Sequence, residues 1–169
     1  MKKTFYMLYA IVCYGIFFAT FLYLIGFVEN ISRFSFADQL SPLFSKTLDT
    51  GEASLSVMPA ILINLLLIAL FGIQHSVMAR AAFKQKWARF IPQPVERSTF
   101  VLLASIVLIV LYYFWQPVKI NLWNLSGSSI ENLFFIISLL GWVLLLISTF
   151  LINHFDLFGL RQPLHARKG

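Results

Sequence analysis

The sequence has few charged residues. Asp, Glu, Lys and Arg together make up 12% of its 169 residues, whereas soluble globular domains contain about 25%. Hydrophobic residues reach 59%, and there are 18 phenylalanines. A soluble core of this size has no room for so many apolar side chains, so the composition predicts an integral membrane protein.

Cysteine is almost absent. Cys13 is the only one in the sequence, which excludes a disulfide within the chain. It also lies inside an apolar run, where a thiol is unreactive. The length suits one domain.

Four long apolar runs carry the fold prediction. They cover residues 5–28, 57–78, 99–115 and 133–152. About 20 mostly apolar residues are enough for a helix to cross the hydrocarbon core of a bilayer. A single strand would leave its backbone groups unpaired in lipid, so the runs are predicted to be helices. The predicted fold is therefore all-α, a polytopic membrane protein with four transmembrane helices in a single domain.

Basic residues alternate with the predicted crossings. The stretch 79–98 carries five basic residues and one acid, whereas the stretch 29–56 carries two basic residues and four acids. Lys2 and Lys3 precede the first run, and Arg161 follows the last. The positive-inside rule then places both termini in the cytoplasm. With no soluble module to present them, the basic residues indicate contact with anionic membrane lipid rather than nucleic acid.

Polar clusters close the second and fourth runs. One comprises residues 74–76 and includes His75; the other comprises residues 153–156 and includes His154 and Asp156. The topology places both on the cytoplasmic face, together with Glu96 and Arg97. Ionisable groups at that depth are costly and usually functional. Two histidines, two acids and several arginines around one cavity mouth predict a site for an anionic or zwitterionic cofactor.

Three stretches resemble a known family. They are QHSVMAR at residues 74–80, PVERST at 94–99 and NHFDLFGLRQ at 153–162. They resemble the signature stretches of the membrane-bound methanethiol S-methyltransferases, which belong with the NnrU-like and isoprenylcysteine carboxyl methyltransferase-like integral membrane enzymes. The resemblance runs over essentially the whole chain to Gln162 and implies an enzyme of a bacterial inner membrane.

The resemblance implies transfer of a methyl group from S-adenosylmethionine to a small thiol, with methanethiol giving dimethyl sulfide. A histidine near neutral pH would help to form the thiolate, and His75 is the first candidate. His154 and Asp156 are predicted to form a second catalytic cluster in which the acid orients the imidazole. Three arginines are predicted to hold the cofactor: Arg80, Arg97 and Arg161. Glu96 is predicted to pair with an arginine.

The chain departs from the family pattern after Gln162. The family usually completes its cofactor site with a further C-terminal segment, and residues 163–169 do not resemble that continuation. The expectation is a truncated member of the family. Two other readings stay open: a non-catalytic membrane scaffold, and a bis-histidine haem protein with His75 and His154 as ligands. Within the second run, Asn64 predicts an interhelical hydrogen bond.

Overall fold

Seven α-helices lie within the part of the chain that the structure describes. The computed structural model describes residues 2–31, 39, 42–52, 54–120, 125 and 127–165. The helices are listed here with their bounds: α1 Lys2–Val28, α2 Val57–Ala79, α3 Ala81–Trp87, α4 Glu96–Phe114, α5 Ser129–Ile152, α6 His154–Leu157 and α7 Gln162–His165. A 3-10 turn, Gln93–Val95, precedes α4. Every regular element among the described residues is helical.

Four of these helices are long and apolar enough to cross a membrane: α1, α2, α5, and α4 together with its preceding turn. The predicted all-α fold with four such helices is confirmed. The boundaries agree within four residues. The stretch predicted as a basic loop contains the short helix α3.

Helices α1 and α4 run parallel and pack closely. Both helices have small buried side chains: Ala10 and Cys13 on α1, and Ser105 on α4. Small residues let helix backbones approach one another, which is how helices associate where lipid competes for apolar surface. Tyr9 reaches Thr99 from α1 at 3.1 Å, and Tyr112 donates from α4 to the Thr20 carbonyl at 3.1 Å. In both pairs the α4 residue follows its α1 partner by nearly the same number of positions, so the two helices run in the same direction.

Helix α2 also packs against α4. Asn64 is buried there and makes two hydrogen bonds to the backbone of Gln116, just beyond α4: its amide donates to the carbonyl at 2.7 Å, and its oxygen accepts from the N–H at 2.9 Å. The hydrogen bonds of Asn64 therefore join α2 to the segment that follows α4 and not, as predicted, to another helix. They satisfy the backbone N–H and carbonyl of Gln116, which lie beyond the last turn of α4.

Residues 42–52 cover one end of this three-helix core. The buried cluster there contains Phe27, Leu67, Leu111 and Tyr112. The Leu48 N–H donates to the Phe27 carbonyl, and the Trp115 indole donates to the Leu48 carbonyl, both at 3.1 Å. These contacts close the end of the bundle opposite to the polar clusters.

Helix α5 lies outside the three-helix core. None of its residues, all of which the structure describes, is buried. Two polar groups of α5 bond Glu29, the residue that follows α1: its carboxylate accepts from Ser138 at 2.5 Å and from the Trp142 indole at 2.7 Å. Most of the remaining surface of α5 consists of exposed apolar side chains, as expected of a helix that faces lipid.

Candidate functional site

A cleft of about 400 Å³ opens at the end of the bundle where α2 ends and α4 begins. Its lining combines charged, polar and apolar side chains: His75, Ala79, Lys84, Glu96, Arg97, Phe100, Ile152, Asn153, Asp156 and Leu157. The predicted convergence of the two polar clusters is therefore seen in the structure. Of the six predicted site residues, three line the cleft: His75, Arg97 and Asp156.

Arg97 and Asp156 form one wall of the cleft. The Arg97 Nη1 lies 2.5 Å from Asp156 Oδ2 and donates to the Asp156 carbonyl at 2.8 Å. The Arg97 backbone N–H donates to Gln162 Oε1 at 2.9 Å. These bonds join the start of α4 to α6 and α7, so the Arg97 guanidinium is already engaged within the protein.

Gly159 brings the chain after α6 against the start of α4. Its φ is +82°, and a Cβ there would lie 2.6 Å from the backbone nitrogen of Ser98. The left-handed conformation and the close approach both favour glycine. This contact holds the segment that carries Asp156 beside Arg97.

Lys84 and Glu96 face each other across the cleft mouth. Lys84 Nζ lies 3.9 Å from a Glu96 carboxylate oxygen, which is beyond hydrogen-bond distance. The expected pairing of Glu96 with an arginine is wrong, because its partner among the described residues is this lysine. The two side chains keep opposite charges close together while leaving their hydrogen-bonding groups available.

His75 lies between two aromatic rings. The ring of Phe71 is 5.5 Å away on the same helix, and that of Phe100 is 5.1 Å away on α4. Its side chain is exposed to the cleft. This is the histidine that a small molecule in the cleft can reach.

His154 is buried outside the cleft, and its two ring nitrogens have partners. Thr149 Oγ1, which also bonds the Leu146 carbonyl at 2.7 Å, lies 2.7 Å from His154 Nδ1. His154 Nε2 is hydrogen-bonded to the Tyr14 hydroxyl at 2.8 Å. Both ring nitrogens are therefore engaged within the protein, and burial lowers the pKa of His154.

The prediction that Asp156 orients the His154 imidazole is wrong. His154 bonds Tyr14 and Thr149, whereas Asp156 bonds Arg97. The physical reason is the left-handed conformation of Asn153 (φ 98°), which ends α5 and changes the course of the chain before α6. The imidazole consequently packs between the helices, and the carboxylate faces the cleft.

Arg80 and Arg161 are not among the cleft residues. Arg80 lies in the extended link between α2 and α3, and Arg161 lies between α6 and α7; both side chains are exposed. Three further residues of this region were not predicted from the sequence: Tyr14, Thr149 and Phe100. Each lies inside an apolar run, and Tyr14 is one of four tyrosines in the first run.

No group of three or more metal-binding side chains is found within the described ranges. The bis-histidine haem interpretation requires a free ring nitrogen on both His75 and His154. His154 would have to lose the bond to Tyr14 or the bond to Thr149 to provide one. The arrangement of its partners therefore disfavours this interpretation.

Comparison with known proteins shows extensive similarity. The chain is 43% identical over 162 residues to methanethiol S-methyltransferase of Crocosphaera subtropica, which covers 96% of this chain and 59% of that protein. It is 45% identical over 155 residues to methanethiol S-methyltransferase 1 of Bradyrhizobium diazoefficiens, covering 92% and 50% respectively. It is 38% identical over 169 residues to methanethiol S-methyltransferase of Mycobacterium tuberculosis, covering 100% and 64%.

The predicted family resemblance is confirmed by these similarities. The chain spans between half and two thirds of the length of the relatives named above. No family model matches the chain, and no solved structure matches it.

Proposed function

We propose that the chain acts as a membrane-embedded methyltransferase that converts methanethiol to dimethyl sulfide, because it is homologous over nearly its whole length to the methanethiol S-methyltransferases. The observation that carries the proposal is the cleft. It gathers His75, Arg97 and Asp156 from three separate segments, in a chain 38% to 45% identical to relatives of that name.

S-adenosylmethionine is the proposed methyl donor, and the cleft residues fit it. A volume of about 400 Å³ is within the range of about 300–1,000 Å³ usual for small-molecule sites. The donor carries an ammonium, a carboxylate and a sulfonium, and the lining offers charges of both signs beside apolar side chains. When bound, it supplies an electrophilic methyl group.

His75 is the proposed base for the thiol. Histidine exchanges protons readily near neutral pH, and this one opens into the cleft beside Phe100. Its imidazole would take the thiol proton, and the apolar walls at Phe100, Ile152 and Leu157 would exclude water. His154 would position the α5–α6 junction through Tyr14, while Arg97 and Asp156 would hold the cleft wall together.

The cleft is proposed to face the cytoplasm of a bacterial cell. The end of the bundle that carries it is rich in basic residues, as the positive-inside rule expects. The test is labelling of intact spheroplasts with a membrane-impermeant maleimide after Lys86→Cys or Glu52→Cys, with the buried Cys13 replaced by alanine. Labelling at position 52 alone supports the orientation, and labelling at position 86 alone overturns it.

The activity test is direct. The purified chain receives S-adenosylmethionine and methanethiol, and headspace gas chromatography measures dimethyl sulfide. His75→Gln should lower the rate by about 100-fold or more, the usual contribution of a general base. His165→Gln is the matched control, because His165 is exposed on α7 and lies outside the cleft lining. Absence of product with the wild-type chain would favour the scaffold interpretation instead.

A further inference from the structure

We propose that Lys84 and Glu96 recognise the amino-acid end of the methyl donor: the lysine ammonium binds its carboxylate, and the glutamate carboxylate binds its α-ammonium. This proposal rests on the proposed function. It replaces the three arginines predicted from the sequence with a lysine and an acid that lie on opposite sides of the cleft mouth.

The arginines are poorly placed for this role. The Arg97 guanidinium is 2.5 Å from the Asp156 carboxylate and also donates to the Asp156 carbonyl. Binding a second carboxylate would require breaking those contacts. Arg80 and Arg161 are not part of the cleft lining. Among the described residues of that lining, Lys84 is the cation without a close hydrogen-bonded partner.

The Lys84–Glu96 distance suits a bridging ligand. At 3.9 Å the two groups attract each other but form no hydrogen bond, whose length would be about 2.7–3.2 Å. The Lys84 side chain is 43% exposed and that of Glu96 is 18% exposed. An ion pair of this kind adds little to stability, so its groups can turn to a ligand at low cost.

The charge pattern selects a zwitterion. Arg97 and Asp156 neutralise each other, which leaves one ammonium and one carboxylate at the mouth. An α-amino acid carries the same two charges on adjacent groups. A simple anion would meet repulsion from Glu96, and a simple cation would meet repulsion from Lys84. The rings of Phe100 and His75 belong to the same lining, and a sulfonium beside Phe100 would gain cation–π attraction.

Isothermal titration calorimetry on the detergent-purified chain tests the proposal with three probes. They are S-adenosylmethionine, decarboxylated S-adenosylmethionine and 5′-methylthioadenosine, which lacks the amino-acid end. Lys84→Met and Glu96→Gln should each weaken binding of S-adenosylmethionine about tenfold or more, the loss expected for a charge-assisted hydrogen bond. Binding of 5′-methylthioadenosine should stay unchanged, which also reports that each variant is folded.

Decarboxylated S-adenosylmethionine separates the two roles, since it keeps the ammonium and lacks the carboxylate. Glu96→Gln should weaken its binding, whereas Lys84→Met should not. The matched controls are Lys86→Met on the exposed face of α3 and Glu52→Gln at the far end of the molecule. Neither should change the affinity of any probe.

Two kinds of failure are distinguishable. If the wild-type chain binds S-adenosylmethionine but Lys84→Met and Glu96→Gln bind it equally well, the recognition site is overturned and the methyltransferase proposal stands. A parallel loss for all three probes would also overturn it, because the effect would then be structural. If the wild-type chain binds none of the probes, the proposed function fails and this recognition site fails with it.

Discussion

The His154 imidazole and the Tyr14 hydroxyl form a 2.8 Å hydrogen bond across 140 positions of sequence. The bond connects the junction after α5 to the middle of α1. The Phe150 ring stacks on the same imidazole at 4.3 Å between centroids. Since α5 has no buried residue, this polar contact is one of the few that fix the helix beside the core.

We expect Tyr14→Phe to lower the free energy of unfolding by about 1–3 kcal/mol, because it leaves the buried Nε2 of His154 without its hydrogen-bond partner. Thermal unfolding in detergent micelles measures the change. Tyr6→Phe is the control, since Tyr6 is on the same helix and its hydroxyl forms no hydrogen bond with any described residue. Equal stability of the two variants would contradict the proposed importance of this bond.

Stability should depend on pH through His154. Burial lowers its pKa from the ordinary value of 6.5, so the unfolded chain takes up a proton there at higher pH than the folded chain does. The free energy of unfolding therefore keeps the whole contribution of His154 above about pH 6.5 and decreases as the pH drops below that value. Melting temperatures between pH 5 and pH 8 should show this slope.

His154→Gln should flatten that slope, because it removes the group that takes up the proton. His75→Gln and His165→Gln should retain it. If either control variant flattened the slope as much as His154→Gln, the pH dependence would have to be assigned to a different histidine.

Gly159 should tolerate no larger residue. Gly159→Ala forces a side chain into the left-handed region, which costs about 1–2 kcal/mol, and places its Cβ 2.6 Å from the Ser98 backbone. We expect a lower melting temperature together with weaker ligand binding in the cleft. Gly141→Ala is the matched control: nothing lies within 4 Å of its Cβ, and alanine favours the helix by up to about 1 kcal/mol. A harmless Gly159→Ala would disprove the close approach.

Asn64 should be essential to the α2–α4 contact. Asn64→Leu leaves both the N–H and the carbonyl of Gln116 without partners, so we expect a loss of about 1–3 kcal/mol in the free energy of unfolding. Leu66→Ala serves for comparison, because Leu66 lies on the exposed side of the same helix and should change stability by much less. A comparable loss in both variants would argue against a special role for the amide.

Hydropathy predicted the four long helices because a span is defined by an uncharged run of sufficient length. It placed the start of α4 at residue 99, whereas the helix begins at Glu96. The helical backbone continues through charged residues that remain outside the apolar run. Likewise, α5 begins at Ser129, where the Ser128 hydroxyl accepts from the Glu131 N–H. Hydrogen bonding rather than hydropathy sets these ends.

The direction of individual side chains could not be predicted in the same way. The long helices are apolar on all sides, so their sequence gives no periodic signal for which face packs inward. Topology alone brought His75 and Asp156 to one end of the bundle. It could not show that the turn at Asn153 directs His154 toward Tyr14 or that Lys84 reaches Glu96, because both depend on how short segments rotate after a helix ends.

The peripheral position of α5 has a consequence for biosynthesis. The contacts among α1, α2 and α4, including the Asn64 bonds to Gln116, use residues that all precede α5 in the chain. A nascent polypeptide leaving the translocon can therefore assemble its first three spans before the fourth is inserted. The later span then docks laterally through Glu29 and Tyr14, and its arrival completes the cleft.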